Sequence, residues 1–408
     1  MNFSTSQKKD KLRDINSYIL ILFAFFIPVS IAFTNILTAV IILIWLLIGD
    51  FKNDWQRIKT NKMALAALAY FTLHLIGLLW TDSIGSGMDM LKKDMRLLLI
   101  PIFMLFVKEE FLKYYIFSFL SAMVLSVFLS FGIYFEIIPQ MKTPAAFYGI
   151  LPFIFHTVYT PLLTLSIYIL MYYTFLSNTL RSKQKYIFIF LITIMSINLF
   201  ISGGRTGQVM YFLMLSITLF QYFKHQRVKA LVLSVVAIPL IFITFYSTSQ
   251  TFNDRVNKAV MEVTSFQTNK NTSLGNRLNQ LFNSIEIIKE NPIIGVGTGG
   301  FKEEYKIMHL KLTPEVPMIW VHHPHNMYLL EYVELGIFGL VSLLLLLIVP
   351  IVHSFKSKDT LINSIGITMP ILFALIMLSD TYLSTPTTTM FFVFFSSILY
   401  KDYTKQTI

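Results

Sequence analysis

A chain of 408 residues that is 55% hydrophobic and only 13% charged, with a mean hydropathy of +0.64, is not a soluble globular protein, because such proteins carry about one quarter charged residues. A net charge of +11 would suggest nucleic acid on a soluble chain. On a membrane chain it marks loops held on the cytoplasmic side instead, so no nucleic-acid partner is expected. There is no cysteine, which excludes disulfides and thiolate metal sites and suits exported loops that must survive without bridges.

Apolar runs long enough to cross a bilayer recur along the whole length, and they are continuous rather than alternating. They predict an all-α polytopic membrane protein and not a β-barrel. The basic start, "MNFSTSQKKDKLRDINS", leads into a run too long for a cleaved signal peptide, with no A-x-A-like site, so it reads as a retained first span. Twelve apolar segments lie near 17–32, 34–49, 63–80, 97–107, 114–136, 150–177, 186–201, 206–223, 230–247, 327–353, 360–379 and 387–400. A tight turn around Asn35 is expected between the first two, and the fourth is short enough to be tilted or re-entrant. Eleven spans is the nearest competing count. Three regions result: nine spans in 1–247, one long polar loop in 248–326, and three spans plus a cytoplasmic C-terminus in 327–408.

Lys and Arg fix the expected orientation. With the N-terminus inside, the inner side holds 20 of the 33 basic residues, in clusters around residues 8–13, 52–62, 108–113, 181–185, 224–229, 356–358 and 401–405. The short outer loops hold only Lys92, Lys93, Arg96, Lys142 and Arg205, and the remaining eight lie in the long loop, whose length exempts it from the rule. Both termini are therefore expected in the cytoplasm and the long loop outside. A loop of that length in a compact protein is usually functional.

The outer face collects the unusual residues. Lys92, Lys93 and Arg96 in "MLKKDMRLLLIP" can attract phosphates, although Arg96 can equally anchor its span. His156 in "PFIFHTVYTPLL" is either a cavity residue or a packing histidine beside Tyr159 and Thr160. In "INLFISGGRTGQVMYFL", Gly203 and Gly204 let the backbone turn, Thr206 can cap the following helix, and Arg205 beside that helix start makes an anion site. The alternative is a snorkelling arginine.

Within the long loop, Leu278, Leu281, Phe282, Ile285 and Ile288 recur at helical spacing, Asn291-Pro292 ends the helix, and Arg277 stands near its start. Arg277 is either an anion contact or an ordinary solvated arginine. "GVGTGG" lacks the preceding strand of a dinucleotide loop and reads as a turn returning the chain to the membrane. "VHHPHNMYLLEYVELG" then gathers His322, His323 and His325. These could ligate zinc with Glu331 or Glu334, but adjacency and Pro324 make convergence awkward. His325 could act as a general base with Asn326 positioning it, or sit as an interfacial polar residue. Asp380 in "LSDTYLST" is expected to pair with an outer arginine.

"SGGRTG", then "GNRLNQLFNSIEIIKENPIIGVGTGGF", then "HPHNMYLLEYVELGIFGL" resembles, in order and spacing, the O-antigen ligase/polymerase superfamily over roughly residues 200–345. The resemblance implies a GT-C-like membrane glycosyltransferase in the bacterial inner membrane with one large periplasmic loop domain. It would move a glycan from an undecaprenyl-diphosphate-linked donor to a hydroxyl of a lipid A–core acceptor. It implies that Arg205 and Arg277 hold the diphosphate and that His325 is the base. It also implies inversion of the anomeric centre, with no metal or cofactor. Asn326, Gly204, Arg96, His156 and Lys93 are candidate substrate-binding residues. Polymerases and protein O-oligosaccharyltransferases of the same superfamily share the donor and differ in acceptor, and two sizeable outer loops would favour a polymerase. A transporter would show inverted repeats with broken helices at the midplane, and none is evident in the sequence.

Overall fold

Every regular element among the described residues is a helix. The computed structural model describes residues 5–140, 150–264, 272–314, 321 and 323–403; His322, Lys142, Lys270 and Lys405 lie outside them. In chain order the helices are α1 (Thr5–Phe26), α2 (Ile31–Ile48), α3 (Phe51–Ile58), α4 (Lys62–Gly77), α5 (Ile84–Asp94), α6 (Leu99–Phe106), α7 (Leu112–Tyr134), α8 (His156–Met171), α9 (Ser182–Ile201), α10 (Arg205–Tyr222), α11 (Arg227–Thr248), α12 (Gln250–Thr264), α13 (Ser273–Glu290), α14 (Phe301–Leu312), α15 (Met327–Lys356), α16 (Thr360–Ile376) and α17 (Pro386–Leu399).

Six helical stretches are long and apolar enough to cross a membrane: Ile31–Ile48, Glu109–Tyr134, His156–Leu176, Ser182–Ile201, Arg227–Thr248 and Met327–Lys356. Three shorter apolar helices, α4, α16 and α17, accompany them. The protein is thus a multi-pass helical membrane protein. The turn expected at Asn35 is not there: Asn35 lies inside α2, and the chain breaks at Ile27–Ser30. Pro28 and the Ser30 side chain, which accepts from the Phe33 amide, stop α1 and start α2.

α17 is buried from Thr387 to Leu399, with Phe391, Phe392, Phe394 and Phe395 at the centre of the bundle. A helix surrounded on all sides has no polar face to keep, and its hydroxyls instead bond to backbone: Thr388 and Thr389 donate to the carbonyls of Tyr382 and Leu383. At the periphery, α11 turns Leu231, Val235 and Leu240 outward, as a lipid-facing helix must.

Helices α12, α13 and α14 form the loop region. α13 carries its predicted apolar face, but Phe282 and Ile285 point outward while Asn279, Gln280, Asn283 and Ser284 are buried. The buried side of this helix is mostly polar, with the core-packed Ile287 near its end.

The turn after α13 is woven into a break in α15. Gly336 adopts φ 59 and ψ −150 inside that helix, which frees two carbonyls and an amide from the helical ladder. The turn takes all three. The Val296 and Gly297 amides donate to the Val333 and Glu334 carbonyls at 2.9 and 2.8 Å, and the Ile337 amide donates to the Pro292 carbonyl at 3.2 Å. Thr298 ties the same turn to α4, its amide donating to the Gly77 carbonyl at 3.1 Å and its hydroxyl to the His74 carbonyl at 2.7 Å. Beneath it lies a buried polar cluster. Tyr70 donates to Glu331 at 2.6 Å, and His74 Nε2 lies 3.2 Å from Glu331 and 3.8 Å from Asp94.

A side chain at Gly336 would meet a left-handed φ and land on the Ile293 carbonyl. Gly336→Ala should therefore cost more than about 2 kcal/mol, seen as a lowered thermal-unfolding midpoint of the purified protein. An unchanged midpoint would mean the break in α15 is not held by this contact.

Candidate functional site

The start of α15 is fastened to the end of α16. Asn326 caps α15 by accepting from the Leu329 amide at 3.1 Å and donates to the Leu378 carbonyl at 3.3 Å, while the Met327 amide donates to the Met377 carbonyl at 2.9 Å. His325, just ahead of the cap, has φ +48. A branched path through that left-handed region costs a non-glycine residue about 1 kcal/mol or more. It also delivers the imidazole to the segment following α16: His325 Nδ1 lies 3.2 Å from Asp380 Oδ1.

Asp380 Oδ1 also accepts from the Thr381 amide at 2.8 Å, and His323 Nδ1 lies 3.6 Å away. Burial pushes the Asp380 carboxyl up, but the His325 hydrogen bond, the two neighbouring histidines and the Thr381 amide outweigh it and hold the group below the usual carboxylate range. The carboxylate is thus ionised at neutral pH and fixes Nδ1 as the protonated nitrogen of His325. In the neutral form of such a ring Nε2 is the lone-pair nitrogen, and this side chain is 37% exposed. The pairing corrects the expectation that Asp380 would meet an arginine.

The neighbouring residue leads to the second arginine-bearing turn. Ser379 Oγ lies 3.3 Å from Thr206 Oγ1 near the start of α10. Thr206 is the second residue of α10 and not its cap; Gly204 holds the cap position without a side-chain bond. Gly203 has φ +74, and Gly204 packs so closely on His156 and Thr160 of α8 that a side chain there would be 2.9 Å from the His156 carbonyl. Arg205 opens α10 and pairs with the buried Glu262 of α12 at 3.5 Å.

Arg277 is exposed on α13, and its charge reaches Tyr382, two residues beyond Asp380. Tyr382 in turn donates to the Thr157 carbonyl on α8 at 3.1 Å. The 379–382 segment is thus bordered by His325 and by the α10 turn that carries Arg205. His156 belongs to the same neighbourhood through Gly204.

Other expected members lie elsewhere. Lys93 is exposed at the end of α5, and Arg96 is half-buried beside Asp94. Among the described residues no hydrogen bond or ion pair joins either to His325, Arg205 or Arg277. Glu331 and Glu334 are not beside the histidines as zinc ligands would be; they are buried under the glycine turn. The donor atoms that do gather are those of His323, His325 and Asp380, all within 4.8 Å of one another. Glu262 had no signal in the sequence, because its partner is remote along the chain.

Residues 188–344 match the family model described as O-antigen ligase. The matched stretch is less than half of the chain. It holds Arg205, Arg277, His325 and Asn326, whereas Asp380 lies beyond it. An uncharacterised protein of Haemophilus influenzae is 33% identical over 165 residues, 39% of this chain and 41% of that protein, so the match spans under half of either.

Since the chain has no cysteine, its geometry can be tested by crosslinking. Thr206→Cys with Ser379→Cys should lose both free thiols on mild oxidation, while each single variant keeps its own. Two thiols that stay reactive to maleimide would separate the α10 turn from the Asp380 segment.

Proposed function

We propose that this protein is a membrane glycosyltransferase of the O-antigen ligase type. It would transfer a glycan from undecaprenyl diphosphate to a lipid A–core sugar hydroxyl. The observation that carries the reading is the His325–Asp380 pair at 3.2 Å, standing beside two arginine-bearing elements in a chain with an O-antigen ligase domain.

In the proposed step, His325 Nε2 removes the proton of the acceptor hydroxyl, and Asp380 stabilises the imidazolium that forms. The acceptor oxygen bonds to the anomeric carbon from the side opposite the diphosphate. The carbon–oxygen bond to the diphosphate breaks, and its electron pair leaves with undecaprenyl diphosphate. Arg205 and Arg277 neutralise that developing charge, and the anomeric configuration inverts. In this reading the positive groups take the part a metal would otherwise play at the diphosphate, so the step is written without one. Asn326, Gly204 and His156 would line the donor path, with Lys93 and Arg96 as more distant phosphate attractors.

The same reading sets twelve membrane passes, cytoplasmic termini, and residues 248–326 on the periplasmic side of the inner membrane, in keeping with the distribution of Lys and Arg. A single large loop favours ligase over polymerase. Transfer to a growing glycan or to protein Ser/Thr would use the same donor chemistry and a different acceptor.

The test is transfer in membranes from a lipid-diphosphate-linked glycan to lipid A–core. His325→Ala should lower the rate by about 100-fold or more with normal accumulation of the protein. Asp380→Asn should lower it by roughly 10-fold to 100-fold, and a chelator should leave the wild-type rate unchanged. Full activity of His325→Ala would sink the proposal, and a chelator-sensitive wild type would sink its metal-free form.

A further inference from the structure

α12 lays one face across the turn that carries Arg205. Phe252, Arg255 and Glu262 fall at positions i, i+3 and i+10 and so share that face. Phe252 anchors it, with its ring centroid 5.0 Å from that of Phe200 on α9 and 5.3 Å from that of Phe242 on α11. Ser249, just before α12, donates to the Phe200 carbonyl at 3.2 Å. Farther along, Glu262 reaches Arg205, and between them Arg255 lies over Gly203. A β-carbon on Gly203 would stand 3.5 Å from both Nε and Nη2 of Arg255. Arg255 also acts electrostatically on His156, across the same turn.

The charge balance distinguishes the two arginines. Glu262 is 7% exposed on its side chain and offsets Arg205 at 3.5 Å. Among the described residues Arg255 makes no ion pair and no hydrogen bond, although it is half-buried. A lipid–glycan diphosphate carries two negative charges, one on each phosphate. Arg205 is already offset by Glu262, so Arg205 and Arg277 together fall short of two full positive charges.

Building on the ligase reading above, we propose that Arg255 is a further donor-binding residue, whose guanidinium takes one phosphate of the lipid-linked diphosphate at the Gly203–Gly204 turn. Glu262 then serves to hold the Arg205 guanidinium in place from the same helix. Arg255 binds through a planar fork, so a lysine keeps the charge but loses one of the two parallel bonds.

The experiment combines transfer kinetics with binding of inorganic pyrophosphate to the purified full-length protein, for wild type, Arg255→Gln, Arg255→Lys and His325→Ala. Arg255→Gln should raise the donor KM and weaken pyrophosphate binding by roughly tenfold to hundredfold, leaving the acceptor KM and the thermal midpoint unchanged. Arg255→Lys should fall between it and wild type. His325→Ala should lose transfer and keep pyrophosphate binding. Wild-type donor KM and pyrophosphate affinity in Arg255→Gln would overturn the assignment. So would equal defects in Gln and Lys variants together with a lowered thermal midpoint, which would mark a packing role. Absence of transfer by the wild type would sink the ligase reading instead, and the pyrophosphate measurement would still decide whether Arg255 binds a diphosphate.

Discussion

The break in α15 at Gly336 is the constraint on which the arrangement depends. A helix interrupted inside a membrane protein exposes backbone groups that no solvent can satisfy. Here the 292–298 turn satisfies them, and it does so by approaching so closely that side chains are excluded on both strands of the contact. One exchange of backbone hydrogen bonds therefore fixes the loop region, α4 and α15 relative to one another. Because α15 is fixed, the residues that lead into it are fixed too. His325 and Asn326 are the last residues of the loop region and the first of the helix.

The candidate site is then built from two approaches to one short segment. α15 brings His325 to Asp380 and α10 brings Thr206 to Ser379, while Arg277 acts electrostatically on Tyr382 from α13. The left-handed conformation of His325 points the same way, since strain of that size persists only where surrounding bonds over-determine it. The Asn326 cap and the Met327–Met377 hydrogen bond supply those constraints. Two of the polar sets in the molecule differ in their access. In the open set, His325, Ser379 and Asp380 are partly exposed, while Thr381 and Tyr382 behind them are buried. The closed set, Tyr70, His74, Asp94 and Glu331, is buried and turned inward beneath the glycine turn.

Much of this was legible in the sequence, because apolar run length is a direct consequence of membrane solvation. α7, α9, α11 and α15 were readable for that reason, and the family resemblance led to Arg205, Arg277 and His325. Local punctuation was less reliable. A lone Asn35 in an apolar run looked like a turn, whereas Pro28 and the Ser30 cap set the break. The apolar stripe of α13 was readable, but not which side it would bury. Partners remote in the chain were not legible at all. Nothing in the local sequence ties Glu262 to Arg205, or sends Glu331 to His74 instead of to the histidines six to nine residues before it. Asp380 was visible as an odd polar residue, but its choice of His325 over an arginine depends on where α16 ends.

The measurement that tests the central claim most directly is an experimental structure of the protein bound to a non-hydrolysable lipid diphosphate-linked sugar. The account predicts the diphosphate between the guanidiniums of Arg205 and Arg277, with His325 Nε2 facing the anomeric carbon from the opposite side across room for one hydroxyl. Contradiction would come from a diphosphate seated elsewhere, or from Arg205, Arg277 and His325 lying more than about 15 Å apart with no shared cavity.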